Sequence, residues 1–353
     1  MNIKPYLKEQ LLCKNKKYLF CYDKGFLILR KCSDKKIVQK LRIHNPIKSI
    51  FLVERLLRYD LRTAVALSEQ SFLYSDHGYI YRYSVTDNNI EIEHKFTQGM
   101  NNPLSFSSRY DGNKLVDLLY GEYMWNKTKE PVSIYRRTDG NWNKVFSFPT
   151  DTISHIHNIF FDKFKNRYII LTGDDDSESG IWEADINFEY VRPIIKGLQK
   201  YRACIAYPTK DAIYYATDTP LEQNYLYKLT ESNEEKYLKK IYKMPGPCIF
   251  GKVSNDILYM ATSVEGNPRL GSWRYRLSNK LGDGVKDKYT HIIAYTNKNI
   301  IEIGKIKKDI FPMWLFQFGN VKFPISDDGK IYICPQSCVC DYNTYVIEDG
   351  KSG

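Results

Sequence analysis

Three threonines recur at one interval through the middle of this chain. Each closes an apolar run, as Leu171-Thr172-Gly173, Ala216-Thr217-Asp218 and Ala261-Thr262-Ser263, and 217 − 172 and 262 − 217 both equal 45. A second pattern also repeats: a hydrophobic residue, an aromatic, a polar residue, any residue, then Ser, Thr or Asp. It reads Ile80-Tyr81-Arg82-Tyr83-Ser84, Ile134-Tyr135-Arg136-Arg137-Thr138, Ile181-Trp182-Glu183-Ala184-Asp185 and Leu226-Tyr227-Lys228-Leu229-Thr230. A fifth copy is Arg274-Tyr275-Arg276-Leu277-Ser278, with fainter ones at Leu27-Ile28-Leu29-Arg30 and Tyr345-Val346-Ile347. Repeats of about 40–50 residues, each holding several short strands, are the mark of propeller blades. One blade cannot bury both of its faces, so blades must stack around an axis. Seven copies predict an all-β, seven-bladed β-propeller with blades of about 45–50 residues. Because the first and last copies are the faintest, six blades is the alternative. An N-terminal strand paired with C-terminal ones would close the ring and hide its free edges. No Pro/Gly/Ser-rich linker divides the chain, so residues 1–353 read as a single domain.

Charge and aromatic content narrow the partners. The net charge of +11 favours nucleic acid, anionic lipid or anionic polysaccharide. The lysines are scattered through hairpins such as Lys14-Asn15-Lys16-Lys17, with no RNP-type motif, basic helical face or Arg-rich arm, which argues against nucleic acid. The 29 tyrosines suit strand faces and also stack on sugar rings. No run of 18 apolar residues predicts a transmembrane segment. The first ten residues lack an apolar signal core and a small-residue cleavage site, so a cytoplasmic location is expected. Cys334, Cys338 and Cys340 cluster without a nearby His or a second C-x-x-C, so free thiols are expected there.

Thr138-Asp139-Gly140-Asn141-Trp142 resembles a shortened Asp-box (BNR) hairpin of the sialidase-like propellers. The stretch from Ile134 to Tyr227 is also similar to BNR-repeat proteins associated with bacterial polysaccharide gene clusters. The resemblance implies a structural turn between outer strands, with Asp139 holding local backbone, Gly140 at positive φ and Trp142 packed between strands. The box itself implies nothing about substrate; with the net charge of +11, an acidic polysaccharide or its precursor is the expected partner. The Arg-Ile-Pro motif of sialidases is absent, so the resemblance does not extend to sialidase activity itself.

The residues able to do chemistry concentrate between His155 and Asn224. In a propeller, loops entering the innermost strands and loops joining second to third strands open on the same face. His155, His157 and Arg202 stand where inner strands should begin. Glu122, Asp174, Asp175, Asp176, Asp218 and Glu222 stand in second-to-third-strand loops, so all should converge on one mouth of the channel. His155 and His157, two apart on a strand, share a side. The pair could ligate a divalent metal with a carboxylate, or supply a general base. Otherwise one caps a strand end and the other bonds a backbone carbonyl. Asp218 and Glu122 are the candidate acid/base carboxyls. Arg202 could grip a substrate carboxylate, or pair with an Asp. Asp174, Asp176, Glu222 and Arg109 are further candidate substrate contacts, and Tyr120, Tyr123, Tyr201 and Tyr225 candidate sugar platforms. The function expected is cleavage of an acidic bacterial polysaccharide or precursor, by glycoside hydrolysis or by lyase-type elimination. The alternative is a non-catalytic propeller that binds glycan or protein.

Overall fold

A computed structural model describes residues 1–112, 114–231, 236–296 and 299–348, and shows seven antiparallel blades ringing a central channel. Their innermost strands are Gln10–Lys14, Ala64–Ala66, Ser107–Asp111, His155–Asp162, Ala203–Pro208, Phe250–Ser254 and Asn320–Lys322. The ring closes as the sequence predicts. Asn2–Leu7 forms the outermost strand of the seventh blade, antiparallel to Thr344–Glu348, and Ile325–Ser326 pairs in parallel with Gln10–Lys14 of the first. Between neighbouring blades, alternate side chains of each sheet interlock. Ile169, Leu171 and Ile181 of the fourth pack on Ala203, Ile213 and Tyr215 of the fifth. All eight cysteines are free thiols.

The interval of 45 has a physical cause. Thr172, Thr217 and Thr262 lie at or just beyond the ends of second strands, all buried. Each hydroxyl accepts a hydrogen bond of 2.9 Å from the third strand of its own blade: from Trp182 Nε1, from Tyr225 N and from His291 N. A threonine there ties the second-to-third-strand loop in the fourth, fifth and sixth blades, so the three are spaced by one blade length. The fifth copy of the other pattern is corrected. Arg274 to Ser278 is not a strand, because Trp273–Arg276 is a helical turn capped by Ser272, inside a long excursion over residues 262–288. The third strand of the sixth blade is Tyr289–Tyr295.

The Asp-box-like segment is a two-residue hairpin on the face away from the residues discussed below. Asp139 (φ 51°) and Gly140 (φ 85°) are both left-handed, as the tight turn between Val132–Thr138 and Asn141–Phe148 demands. Trp142 packs against Tyr120 and donates to Glu93 Oε1 at 3.0 Å, which joins the third blade to the second. The Asp139 side chain is exposed, and its contribution is the backbone conformation it tolerates. Asp139→Ala should therefore cost about 1 kcal/mol in urea unfolding, while Asp139→Gly should be close to neutral.

Candidate metal centre at the channel mouth

The loops from second to third strands and from each blade to the next all open on one face. His155 begins the inner strand of the fourth blade there. Pairing with Arg167–Gly173 slips between Ile156 and Asn158, which leaves His157 as a bulge. The same slip in the fifth blade falls between Ala203 and Ile205 and frees Cys204. Gly173, opposite His155, must lack a side chain. A Cβ there would stand 2.5 Å from His157 Cε1 and 3.0 Å from Arg202 Cγ.

Backbone carbonyls fix both imidazoles. His155 Nδ1 lies 3.1 Å from Met124 O, and His157 Nδ1 lies 2.9 Å from Ala203 O. Carbonyls only accept, so each Nδ1 carries the proton, and in a neutral ring each Nε2 presents a lone pair. Those two Nε2 atoms are 3.1 Å apart. Asp174 completes the set, with Oδ2 at 3.6 Å from His155 Nε2 and Oδ1 at 3.3 Å from His157 Nε2. Three acceptors thus face one point. A tetrahedral ion with bonds of about 2.0–2.2 Å holds its ligand atoms about 3.3–3.6 Å apart, close to these spacings. The histidine side chains are almost wholly buried, whereas that of Asp174 is 47% exposed. A closed back and an open front are what a metal site with a free coordination position needs. Both imidazoles, not one, bond a backbone carbonyl, and those bonds orient the rings so that the two Nε2 atoms face each other and Asp174. His44, Asp76 and His77 make an instructive contrast. There Asp76 takes hydrogen bonds of 2.8 Å with His44 Nε2 and 2.6 Å with His77 Nδ1, one on each carboxylate oxygen.

Behind the triad lies an ionic layer. Arg202 Nη2 is 2.9 Å from Asp174 Oδ1 and 3.8 Å from Asp218 Oδ2. Partial burial opposes the Asp174 charge, but the Arg202 guanidinium beside it holds its carboxyl well below the usual range. Burial and the Asp218 charge push the Cys204 thiol up, so it stays protonated and donates to Asp218 Oδ2 at 3.2 Å. Asp218 Oδ1 is buried without a partner. Glu265 reaches in from the 262–288 excursion, and its carboxyl is pushed up to about 8 by burial and by Asp218. Near neutral pH both effects favour its protonated form. A carboxyl raised in the folded state contributes stability that is complete below about pH 4.5 and is lost as pH rises through about 8. Glu265→Gln should flatten that slope and leave the variant more stable than the parent at pH 8, by an amount on the order of 3 kcal/mol. Urea titrations at pH 5 and pH 8 would show it, and parallel slopes for the two proteins would count against it.

The structure brings together His155, His157, Asp174, Arg202 and Asp218, with Tyr123, whose ring centroid is 4.6 Å from that of His155. It does not bring in Glu122. That carboxylate is buried, accepting from Thr97 Oγ1 and from Ser133 N at 2.7 Å, and it braces the loop before the third strand. Tyr120 is a core residue stacked on Tyr135 and bonded to His94. Arg109 lies over Phe161, beside Asp117. Tyr201 is buried in the turn before Arg202, with Lys200 over its ring. Asp176 and Glu222 are exposed on the rim, and Tyr225 lies under Lys240. Sequence reading missed Glu265 and Cys204. Glu265 sits in an insertion with no repeat register, and Cys204 reads as an ordinary small apolar residue unless the bulge is foreseen.

No family model matches the chain, and no curated protein matches it. Similar solved structures exist at low identity. An oligogalacturonate lyase in complex with manganese superposes with a TM-score of 0.55 at 8% identity, covering 98% of this chain and 89% of the other. An oligogalacturonate lyase from Vibrio parahaemolyticus gives 0.53 at 11%, covering 98% and 90%. A chain of the mitotic checkpoint complex gives 0.54 at 8%, covering 97% and 90%. Proteins so unlike in role share the seven-bladed ring, so these likenesses establish the fold.

Proposed function

We propose that the channel mouth is a divalent-metal centre acting on an acidic oligosaccharide by lyase-type elimination. The observation that carries this reading is the set of three acceptors, His155 Nε2, His157 Nε2 and Asp174, facing one point with both rings fixed from behind. Electrostatics supports it. With Glu265 neutral, Asp174 and Asp218 outweigh Arg202 by one negative charge, which favours a cation. With a divalent ion the balance becomes one positive, which favours an acidic substrate. When bound, the ion would neutralise a uronate carboxylate and so acidify the adjacent C–H, whose proton would pass to solvent water as the bond to the leaving sugar oxygen breaks and that oxygen takes a proton from water.

The chain's own groups have separable tasks. Asp174 presents the open face, and Arg202 holds it there rather than gripping substrate, because its guanidinium is already engaged. Tyr123, packed against His155, is the platform for a sugar ring. Hydrolysis would need two carboxyls flanking the scissile bond. Asp174 and Asp218 instead lie on one guanidinium, and Glu122 is turned away, which favours elimination. Two of the similar structures are oligogalacturonate lyases, one holding manganese, and that agrees with this chemistry.

The test is a panel of acidic oligosaccharides with and without Mn²⁺, followed by absorbance of unsaturated uronate and by release of reducing ends. Both signals should appear, and only with metal. Reducing ends alone would mean hydrolysis. Calorimetric binding with neither signal would leave a glycan-binding propeller.

A further inference from the structure

We propose that the channel face docks onto an anionic lipid surface through a raised apolar rim beside the mouth. This rests on different residues from the metal centre and stands whether or not an ion binds there. The first observation is an inside-out helix. Phe51–Leu57 buries its charged residues, Glu54 and Arg55, and exposes Phe51, Leu52, Leu56 and Leu57. Water-facing helices do the reverse. The polar anchors explain the orientation: Tyr22 donates to Glu54, while Arg55 bonds Asp309 and the Phe316 carbonyl on the far side of the ring closure.

The second observation is continuity. Phe51 packs on Phe311, with ring centroids 6.0 Å apart. The neighbouring Ile310 is 84% exposed, and its carbonyl accepts from Asn279 Nδ2 at 2.8 Å, which joins it to the 262–288 excursion. There Trp273 and Leu277 are exposed on the next helical turn. A run of apolar side chains from three separate loops is more than scattered exposure.

Charge selects the occupant. Arg274 lies over the Trp273 ring, 5.5 Å from its centroid, and Arg269, Arg276 and Lys280 flank the same turn in sequence; all four are exposed, and no ion pair of theirs is seen among the described residues. The acid nearest Ile310, Asp309, is consumed by Arg55 and Lys308. Tryptophan and leucine interleaved with unpaired arginine fit the interface of a bilayer carrying anionic headgroups, where apolar insertion and charge attraction add. The contact proposed is a peripheral one, made by exposed side chains of the rim; no described helix is long and apolar enough to cross a membrane. The mouth would then face the lipid surface, and substrate would be met there.

Cosedimentation with phosphatidylcholine vesicles, with and without phosphatidylglycerol, tests this on the full chain. Binding should require phosphatidylglycerol and be released by high salt. Trp273→Ala with Leu277→Ser, Leu52→Ser with Leu56→Ser, and Arg274→Glu with Arg276→Glu should each weaken it about ten-fold or more. All three double variants should keep the parent's thermal melt, which separates lost docking from lost folding. Binding to neither vesicle, or binding indifferent to all three variants, would overturn the proposal. So would a dimer, seen by analytical ultracentrifugation, that the same variants dissolve.

Discussion

Replacing His157 with alanine is expected to weaken Mn²⁺ or Zn²⁺ binding by about a hundred-fold or more. Loss of an outer-shell partner alone typically costs about 10–100-fold, and His157 supplies one of the three facing atoms. His155→Ala should behave alike. Glu122→Gln should not change metal affinity, because Glu122 is occupied with Thr97 and Ser133. Titration calorimetry reads all four proteins. Parent-like affinity in His157→Ala would reduce the pair to strand-end hydrogen bonding.

Arg202→Met should cost about 3–5 kcal/mol in urea unfolding at pH 7, since removing one partner leaves a buried charge uncompensated. The uncompensated group is chiefly Asp218, which is buried and has only Cys204 left as a donor. Asp174 can rehydrate at the mouth. Its carboxyl is depressed in the folded state, so the stability it contributes is present above about pH 4 and lost as pH falls. The penalty of Arg202→Met should accordingly be greatest near neutrality and shrink in acid. Saturating Mn²⁺ should return part of it, because the ion replaces the missing positive charge. A penalty below about 1 kcal/mol, insensitive to metal, would show the ionic layer to be screened by water.

The ring was legible because its rule is local. Thr172, Thr217 and Thr262 each accept a bond from the third strand of their own blade, so their interval survives tertiary detail between blades. Strand order puts His155, His157, Asp174, Arg202 and Asp218 on one face, but it puts Glu122 there as well. What sequence could not carry was side-chain direction at irregular backbone. Two carboxylates in equivalent loops, Glu122 and Asp218, have different fates because Glu122 finds Thr97 and Ser133 while Asp218 meets Cys204. The bulge that frees His157 depends on pairing register, which composition does not reveal. Arg274 to Ser278 carries the strand pattern yet turns into a helix, because the real third strand follows it at Tyr289–Tyr295.

The most direct measurement is anomalous diffraction from crystals of the full chain, stripped with chelator and soaked in Mn²⁺ at neutral pH. A single strong peak is expected about 2.0–2.3 Å from His155 Nε2, His157 Nε2 and one Asp174 oxygen, with the Nδ1 bonds to Met124 and Ala203 unchanged. No peak at that point, with the two Nε2 atoms still 3.1 Å apart, would contradict the metal centre and the elimination chemistry built on it.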